Sequence, residues 1–381
     1  MKTNQFAHFS DYWQMLDWGH LALSLRAKTS ADVENALQSS NRDLNDFMAL
    51  ISPATEAYLE PMEQLAQQLT RQRFGNTVGF YLPLYLSNVC TNDCTYCGFS
   101  MSNRIKRKIL DEQEILNEIK AIKSMGYEYL LLVTGEHETK VGMAYFREKL
   151  KLIRPHFFAL LMEVQPLQSE EYVELKTLGL DGVLVYQETY NAAEYAKHHL
   201  CGQKQDFIYR LDSQDRLGQA GIDKIGLGAL IGLSNDWRTD IYFVGEHLNY
   251  LQNKYWQSRY SISFPRLRPC VGGLQPASQM SDKQLLQIIC AFRLCFPEVE
   301  LSLSTRESAN FRNNVIPIAI NTISAGSKTQ PGGYAEEDDK LLEQFSPDDE
   351  RPPQIIAAEL VKRGLQPVWK DWEPYLGRTL S

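Results

Sequence analysis

The 381-residue sequence predicts an α/β fold. The expected architecture is a (β/α)8 TIM-type barrel over residues 77–330, with an N-terminal helical extension (1–76) and a C-terminal extension (331–381). Three observations predict it. From residue 78 onward, apolar strand-like cores alternate with amphipathic helical segments, the pattern of βα units on a parallel sheet. The cores number eight, which closes a barrel. Polar residues collect just after those cores, where barrels place their active sites.

Each element is legible in turn. Residues 1–75 carry helical spacing, as in "ADVENALQS" and "MEQLAQQLTRQRFG", and no evident chemistry. "VGFYLPLYLS" reads as the first strand and leads into "CTNDCTYCGFS". "DEQEILNEIKAIKSMG" is an amphipathic helix that ends at Gly126, a suitable C-cap. Strand and helix then alternate: "YEYLLLVTG", "AYFREKLKLIRP", "FFALLMEVQP", "SEEYVELKTLG", "DGVLVYQET", "DFIYRLDSQDRLGQAG", "DKIGLGALIGL", "TDIYFVGEHLNYLQNKY", "RYSISFPRLRP", "SDKQLLQIICAFRLCFP" and "VELSLSTRES". A short helix near "NNVIPIAI" precedes the last strand, "TISAGS". The acidic, proline-bearing stretch "YAEEDDKLLEQFSPDDERPPQ" reads as an irregular surface extension, partly mobile.

Composition narrows the partners. A net charge of −8 argues against nucleic acid or an anionic membrane surface. The start has no apolar signal region, and the most apolar stretch, "KIGLGALIGL", is too short to span a membrane. A cytoplasmic setting is expected, where thiols stay reduced. Cys201, Cys270, Cys290 and Cys295 read as buried packing residues.

The cysteine trio demands chemistry. Cys90, Cys94 and Cys97 form C-x3-C-x2-C with no matching fourth ligand. A structural zinc site closes a tetrahedron with four ligands. A disulfide framework needs even pairing in a secreted chain. Three thiolates on one tight loop suit an iron–sulfur cluster with one iron left unligated by protein. The alternatives are three unrelated buried thiols, or a zinc site completed by a distant histidine. Around the expected mouth stand Thr134-Gly135-Glu136, Glu163, Glu188, Arg266, Arg268, Arg306 and Ser324. Arginine forks suit carboxylates, so an amino-acid-like ligand is indicated. "GLGALIGL" opens no convincing helix and does not read as a dinucleotide site.

With Tyr96 just before its third cysteine, the motif resembles that of the radical S-adenosylmethionine superfamily. "LLVTGE", "MEVQP", "YQETY", "ISFPRLRP" and "LSTRE" resemble its aromatic amino-acid lyase branch. The resemblance implies a [4Fe–4S] cluster on Cys90, Cys94 and Cys97, with S-adenosylmethionine on the fourth iron. It implies Tyr96 beside the adenine, and Thr134, Gly135 and Glu136 at the methionine amino group. It implies Glu188 at the ribose and Arg210 at the methionine carboxylate. Arg306 is the candidate for the substrate carboxylate, with Ser324 nearby; Arg266 or Arg268 shares or replaces that role, and sequence does not order them. The implied reaction breaks the Cα–Cβ bond of L-tyrosine to give 2-iminoacetate and p-cresol. The implied partners are a thiazole-forming synthase of the thiamine pathway and a flavodoxin- or ferredoxin-type reductant. Branch relatives act on tryptophan or in hydrogenase-cofactor assembly. The latter carry further cysteines near the C-terminus, and this chain has none after Cys295.

Overall fold

The computed structural model describes residues 6–335 and 342–370. Eight parallel strands close the predicted barrel: β1 (Thr77–Ser87), β2 (Tyr129–Thr134), β3 (Ala159–Glu163), β4 (Gly182–Leu184), β5 (Lys224–Leu227), β6 (Arg259–Ser263), β7 (Glu300–Leu303) and β8 (Thr322–Ser324). Closure comes from β8 pairing with β1, with Gly79 opposite Thr322 and Tyr81 opposite Ser324. Apart from β1, the strands are shorter than the apolar runs that predicted them. "DGVLVYQET" yields only Gly182–Leu184; beyond it the Val185 and Gln187 amides still reach the Gly226 and Gly228 carbonyls, and the chain brings Glu188 to the mouth.

The helices follow their caps. Asp111 accepts the Glu114 amide at 2.9 Å, and Glu114 returns the bond to the Asp111 amide at 2.9 Å. This reciprocal box starts helix Glu112–Ser124 and satisfies two orphan donors. Ile115, Ile119 and Ile122 form its buried stripe, the i, i+4, i+7 spacing of an amphipathic face. Gly126 has φ +92° just past its end, a conformation glycine adopts without steric cost.

Two helical expectations change in detail. "DFIYRLDSQDRLGQAG" folds as two helices, Phe207–Leu211 and Ser213–Gln219, broken at Asp212. Asp212 spends its carboxylate on the backbone and hydroxyl of Ser10, tying the N-terminal segment to the barrel. The helix near "NNVIPIAI" is longer than expected, Ala309–Ala319, with Pro317 inside its last turn.

The helical extension packs on the outside. Helices Leu44–Ile51 and Leu59–Phe74 lie against helix Asp282–Cys295. Phe47 meets Phe292 edge-on at 4.8 Å, and a Cβ on Gly245 would come within 2.4 Å of the Phe47 ring. That glycine lets the layers touch. Asp215, fully buried, accepts from the Phe9 amide, Tyr250, Tyr255 and Lys254.

The acidic stretch is irregular as its composition suggests, without α-helix or strand over 342–352, but it is bonded to the barrel rather than loose on the surface. Residues 336–341, in the acidic stretch, lie outside the described residues. Beyond them, residues 342–349 cross the barrel mouth as a strap. Helix Pro353–Lys362 follows, and then β9 (Gln366–Val368), which pairs parallel with β1 at Thr77–Gly79. An acidic composition misleads here because its key carboxylate is buried. Asp349 Oδ2 meets Arg312 at 2.6 Å, with both side chains fully covered.

Cysteine environments also differ from the expectation of uniform burial. Cys290 is buried, Cys270 and Cys295 are partly buried, and Cys201 is exposed. Cys201 ends a short antiparallel ribbon in which His199–Cys201 pairs with Asp93–Cys94, so its position is fixed by backbone pairing rather than by packing.

Candidate active site

The cysteine loop leaves β1 and curls over the barrel mouth. Cys94 is anchored by its amide on Ser100 Oγ at 2.9 Å, and Asp93 accepts from the Ser100 and Ser102 hydroxyls. Arg107 donates to the carbonyls of Asn88, Phe99 and Ser100, and Asn103 to those of Cys97 and Gly98. The loop's carbonyls are therefore satisfied from behind, and Cys97 lines the chamber. Burial pushes the Cys90 thiol up to about 11, and pushes Cys94 and Cys97 up as well. Thiols so placed ionise when a metal replaces the proton.

The trio fits a multi-iron cluster better than one ion. Three thiolates on one tetrahedral ion at about 2.3 Å would hold their sulfurs roughly 3.8 Å apart. Among the described residues, the one group of three ligand atoms within 4.8 Å of one another is His8, Asp212 and Asp215, far from this loop in sequence. The three sulfurs are spread wider, as separate irons require. A Cβ on Gly135 would lie 2.4 Å from the Val89 carbonyl, so residues 134–136 run directly against the loop. Thr134 Oγ1 is buried without a partner and lines the same chamber.

Deeper in the mouth lies a charged cluster. Arg210 donates to the Tyr186 carbonyl at 2.7 Å, reaches Glu136 Oε1 at 3.2 Å, and approaches Glu188 at 3.7 Å. Lys204 meets Glu188 at 2.7 Å and stands 5.6 Å from the Tyr96 ring centre. Burial alone would raise the Glu188 carboxyl, but Lys204 and Arg210 hold it below its usual range. Glu188 has φ +70°. Such a backbone costs of order 1–3 kcal/mol in a bulky residue and collects at functional sites. Tyr96 is held by His199, whose Nε2 lies 2.8 Å from the phenol oxygen and whose Nδ1 faces the Tyr195 carbonyl at 2.7 Å. Burial pushes His199 down to about 2. The ring is therefore neutral, donating from Nδ1 and accepting from Tyr96.

The opposite wall carries the arginines. Arg306 lines the chamber with Ser324, Tyr81, Tyr85 and Glu163. Its guanidinium lies 3.5 Å from the Phe345 ring centre, and it forms no ion pair among the described residues. Arg266 is different. Its fork is spent on both oxygens of Glu307, with Asp282 at 2.8 Å, and it is not part of the chamber wall. Arg268 pairs with Asp348 at 3.2 Å. Of the three, Arg306 alone offers a free fork. Burial pushes the Glu163 carboxyl up to about 7, with Arg306 opposing.

Comparison with known proteins agrees with this geometry. A profile of the radical SAM superfamily matches residues 84–243, and one of the biotin and thiamin synthesis associated domain matches residues 263–366. The chain is 66% identical to 2-iminoacetate synthase of Escherichia coli (strain K12), over 97% of this chain and 98% of that one. It belongs to the 2-iminoacetate synthase family. The Salmonella typhimurium member is 65% identical over the same shares. As a radical SAM lyase of this family, the enzyme uses a [4Fe–4S] cluster and S-adenosylmethionine. Among solved structures, HydG, a maturase of the [FeFe]-hydrogenase, matches with a TM-score of 0.87 and 31% identity, covering 93% of this chain and 79% of that one.

In this family member the structure gathers Cys90, Cys94, Cys97, Tyr96, Thr134, Gly135, Glu136, Glu188, Arg210, Arg306 and Ser324 around one mouth, and leaves Arg266 outside it. Sequence reasoning missed Lys204, His199 and Gln344. His199 and Lys204 lie on a connection between β4 and β5 that carries no motif, and Gln344 lies on the strap. Arg210→Met should weaken S-adenosylmethionine binding about ten- to a hundredfold, since a charge-assisted bond contributes roughly 1.5–3 kcal/mol. Calorimetric titration of the reconstituted protein checks this, and unchanged affinity refutes it.

Proposed function

We propose that this chamber cleaves the Cα–Cβ bond of L-tyrosine, giving 2-iminoacetate and p-cresol alongside methionine and 5′-deoxyadenosine. The 66% identity to 2-iminoacetate synthase along nearly the whole chain carries the reading. A free arginine fork in a tyrosine-lined chamber supports it.

Cys90, Cys94 and Cys97 are the residues to hold the cluster. When bound and reduced, it supplies the electron that splits S-adenosylmethionine into methionine and the 5′-deoxyadenosyl radical that takes a hydrogen atom from the substrate. The protein does the rest by position. Glu136 and Arg210 face the methionine end, Tyr96 the adenine and Glu188 the ribose. Arg306 takes the tyrosine carboxylate in a fork, with Ser324 beside it. Phe345 covers one face of the Arg306 guanidinium. The p-hydroxybenzyl fragment left by cleavage needs one electron and one proton to become p-cresol. A flavodoxin- or ferredoxin-type reductant supplies electrons, and the Glu163 carboxyl, raised by burial to about 7, exchanges a proton near neutral pH.

An imine hydrolyses in water, so its consumer must be near. We place a thiazole-forming synthase of the thiamine pathway as that consumer. Seven free cysteines fit a reducing cytoplasm, and no helix among the described residues is long and apolar enough to cross a membrane.

The test incubates reduced, reconstituted protein with S-adenosylmethionine and each aromatic amino acid. Tyrosine should give p-cresol. If tryptophan turns over better, the substrate reading fails while the radical chemistry stands. Arg306→Lys keeps the charge but loses the fork. Tyrosine turnover should fall at least about tenfold, as a loss of 1–3 kcal/mol implies, while uncoupled 5′-deoxyadenosine formation continues. p-Cresol at the unaltered rate would move the carboxylate site elsewhere.

A further inference from the structure

Three separate contacts join the strap to the cysteine loop at one point. The Gly98 amide donates to the Gln344 carbonyl at 3.0 Å. A Cβ on Gly98 would lie 2.5 Å from that oxygen and 2.7 Å from the Glu343 carbonyl, so only glycine lets the strap lie this close. The Gln344 amide Nε2 faces Cys97 Sγ at 3.8 Å, a length within reach for a sulfur acceptor.

The direction of that side-chain amide is set from its other end. Tyr85 donates its phenol hydrogen to Gln344 Oε1 at 2.8 Å. Burial raises the Tyr85 phenol well above its ordinary range, so it stays a donor. With Oε1 taken, Nε2 is left to face the sulfur. The Gln344 backbone N–H is fixed on the Thr329 carbonyl at 2.9 Å. The residue is held at three atoms, and its remaining donor points at a cysteine 247 positions earlier.

We propose that Gln344 is a positioning residue for the iron–sulfur cluster, donating an N–H···S hydrogen bond to Cys97 that raises the cluster's reduction potential. A thiolate is a far better acceptor than a thiol, because the bond becomes charge-assisted. Hydrogen bonds to ligand sulfurs favour the reduced, more negative cluster and so move its potential upward. Tyr85 also lines the substrate chamber, so the pair Tyr85–Gln344 is a two-bond path from the chamber wall to the cluster. The inference rests on Cys97 being a cluster ligand, as assigned above.

The experiment is an EPR-monitored redox titration of the reconstituted full-length protein without substrate, paired with iron analysis and with hyperfine measurement of exchangeable deuterons near the cluster. Two variants are compared: Gln344→Leu, which keeps bulk without a donor, and Gln344→Glu, which keeps the acceptor for Tyr85 but loses the N–H. Both should retain the unaltered iron content, lose one exchangeable-deuteron coupling and shift the midpoint potential negative. Unchanged potential and coupling at full iron content would overturn the proposal alone. Loss of iron in both variants would also overturn it, by making Gln344 a structural wall of the cluster pocket. Absence of a [4Fe–4S] signal in the unaltered protein would overturn the cluster assignment and this inference together.

Discussion

Cys94→Ala should abolish S-adenosylmethionine cleavage. Cys94 is the buried member of the trio, and its backbone is held independently of its thiol, by Ser100 Oγ and by the ribbon with His199. Alanine leaves those bonds intact and removes only the sulfur. A cubane cluster held by two thiolates has two irons without a protein ligand, and the open position that S-adenosylmethionine needs is no longer unique. The reconstituted variant should therefore lack the [4Fe–4S] absorbance and form no 5′-deoxyadenosine above background. Cys90→Ala and Cys97→Ala should behave alike. The exposed Cys201 is the control, and Cys201→Ala should keep both readouts. Cleavage surviving in a cluster-free Cys94→Ala protein would remove the trio from the chemistry.

The second large effect is on folding. Asp349→Ala should destabilise the protein by about 3–5 kcal/mol, the usual cost of leaving a buried charge without its partner. Arg312 is fully buried and meets Asp349 at 2.6 Å while donating to the Ser324 carbonyl. Arg351 adds two bonds to the same carboxylate at 2.7 Å. The Asp348 and Asp349 amides hang the strap on the Thr305 carbonyl at 2.9 and 3.1 Å. Burial alone would raise the Asp349 carboxyl, but Arg351 and Arg312 hold it below its ordinary value. A depressed folded pKa contributes stability that is complete above the unfolded value, roughly 3.9. That stability drains away as pH falls through the lower folded value. Urea unfolding at neutral pH should show the full gap between Asp349→Ala and the unaltered protein, and the gap should narrow in acid. Equal unfolding midpoints at neutral pH would refute the account.

How much of this was legible beforehand depends on how locally each feature is encoded. The cysteine trio spans eight positions, and its meaning lies in spacing alone. The barrel followed from eight repeats of a strand-then-helix texture, and strand ends then pointed to Glu136, Glu188 and Arg306. The arginines could not be ranked from sequence. What separates Arg306 from Arg266 is the placement of Glu307 and Asp282, a tertiary fact. Lys204 and His199 carry no motif, and ordinary lysines and histidines are usually solvated. The extension was misread because acidic, proline-bearing composition resembles disorder, and only the buried Arg312 shows that Asp349 is structural. Gln344 was invisible for the same reason: nothing near it in sequence mentions sulfur.

The 247 positions from Cys97 to Gln344 also measure time. Ribosomes add about 5–20 residues per second, so the thiol loop waits roughly 12–50 s for the residue that caps it. Barrel closure waits almost as long, since Gly79 needs Thr322. The nascent loop is thus open from above and unsupported from below while the rest of the chain is made. The order of assembly is written into the distance between two contacting residues.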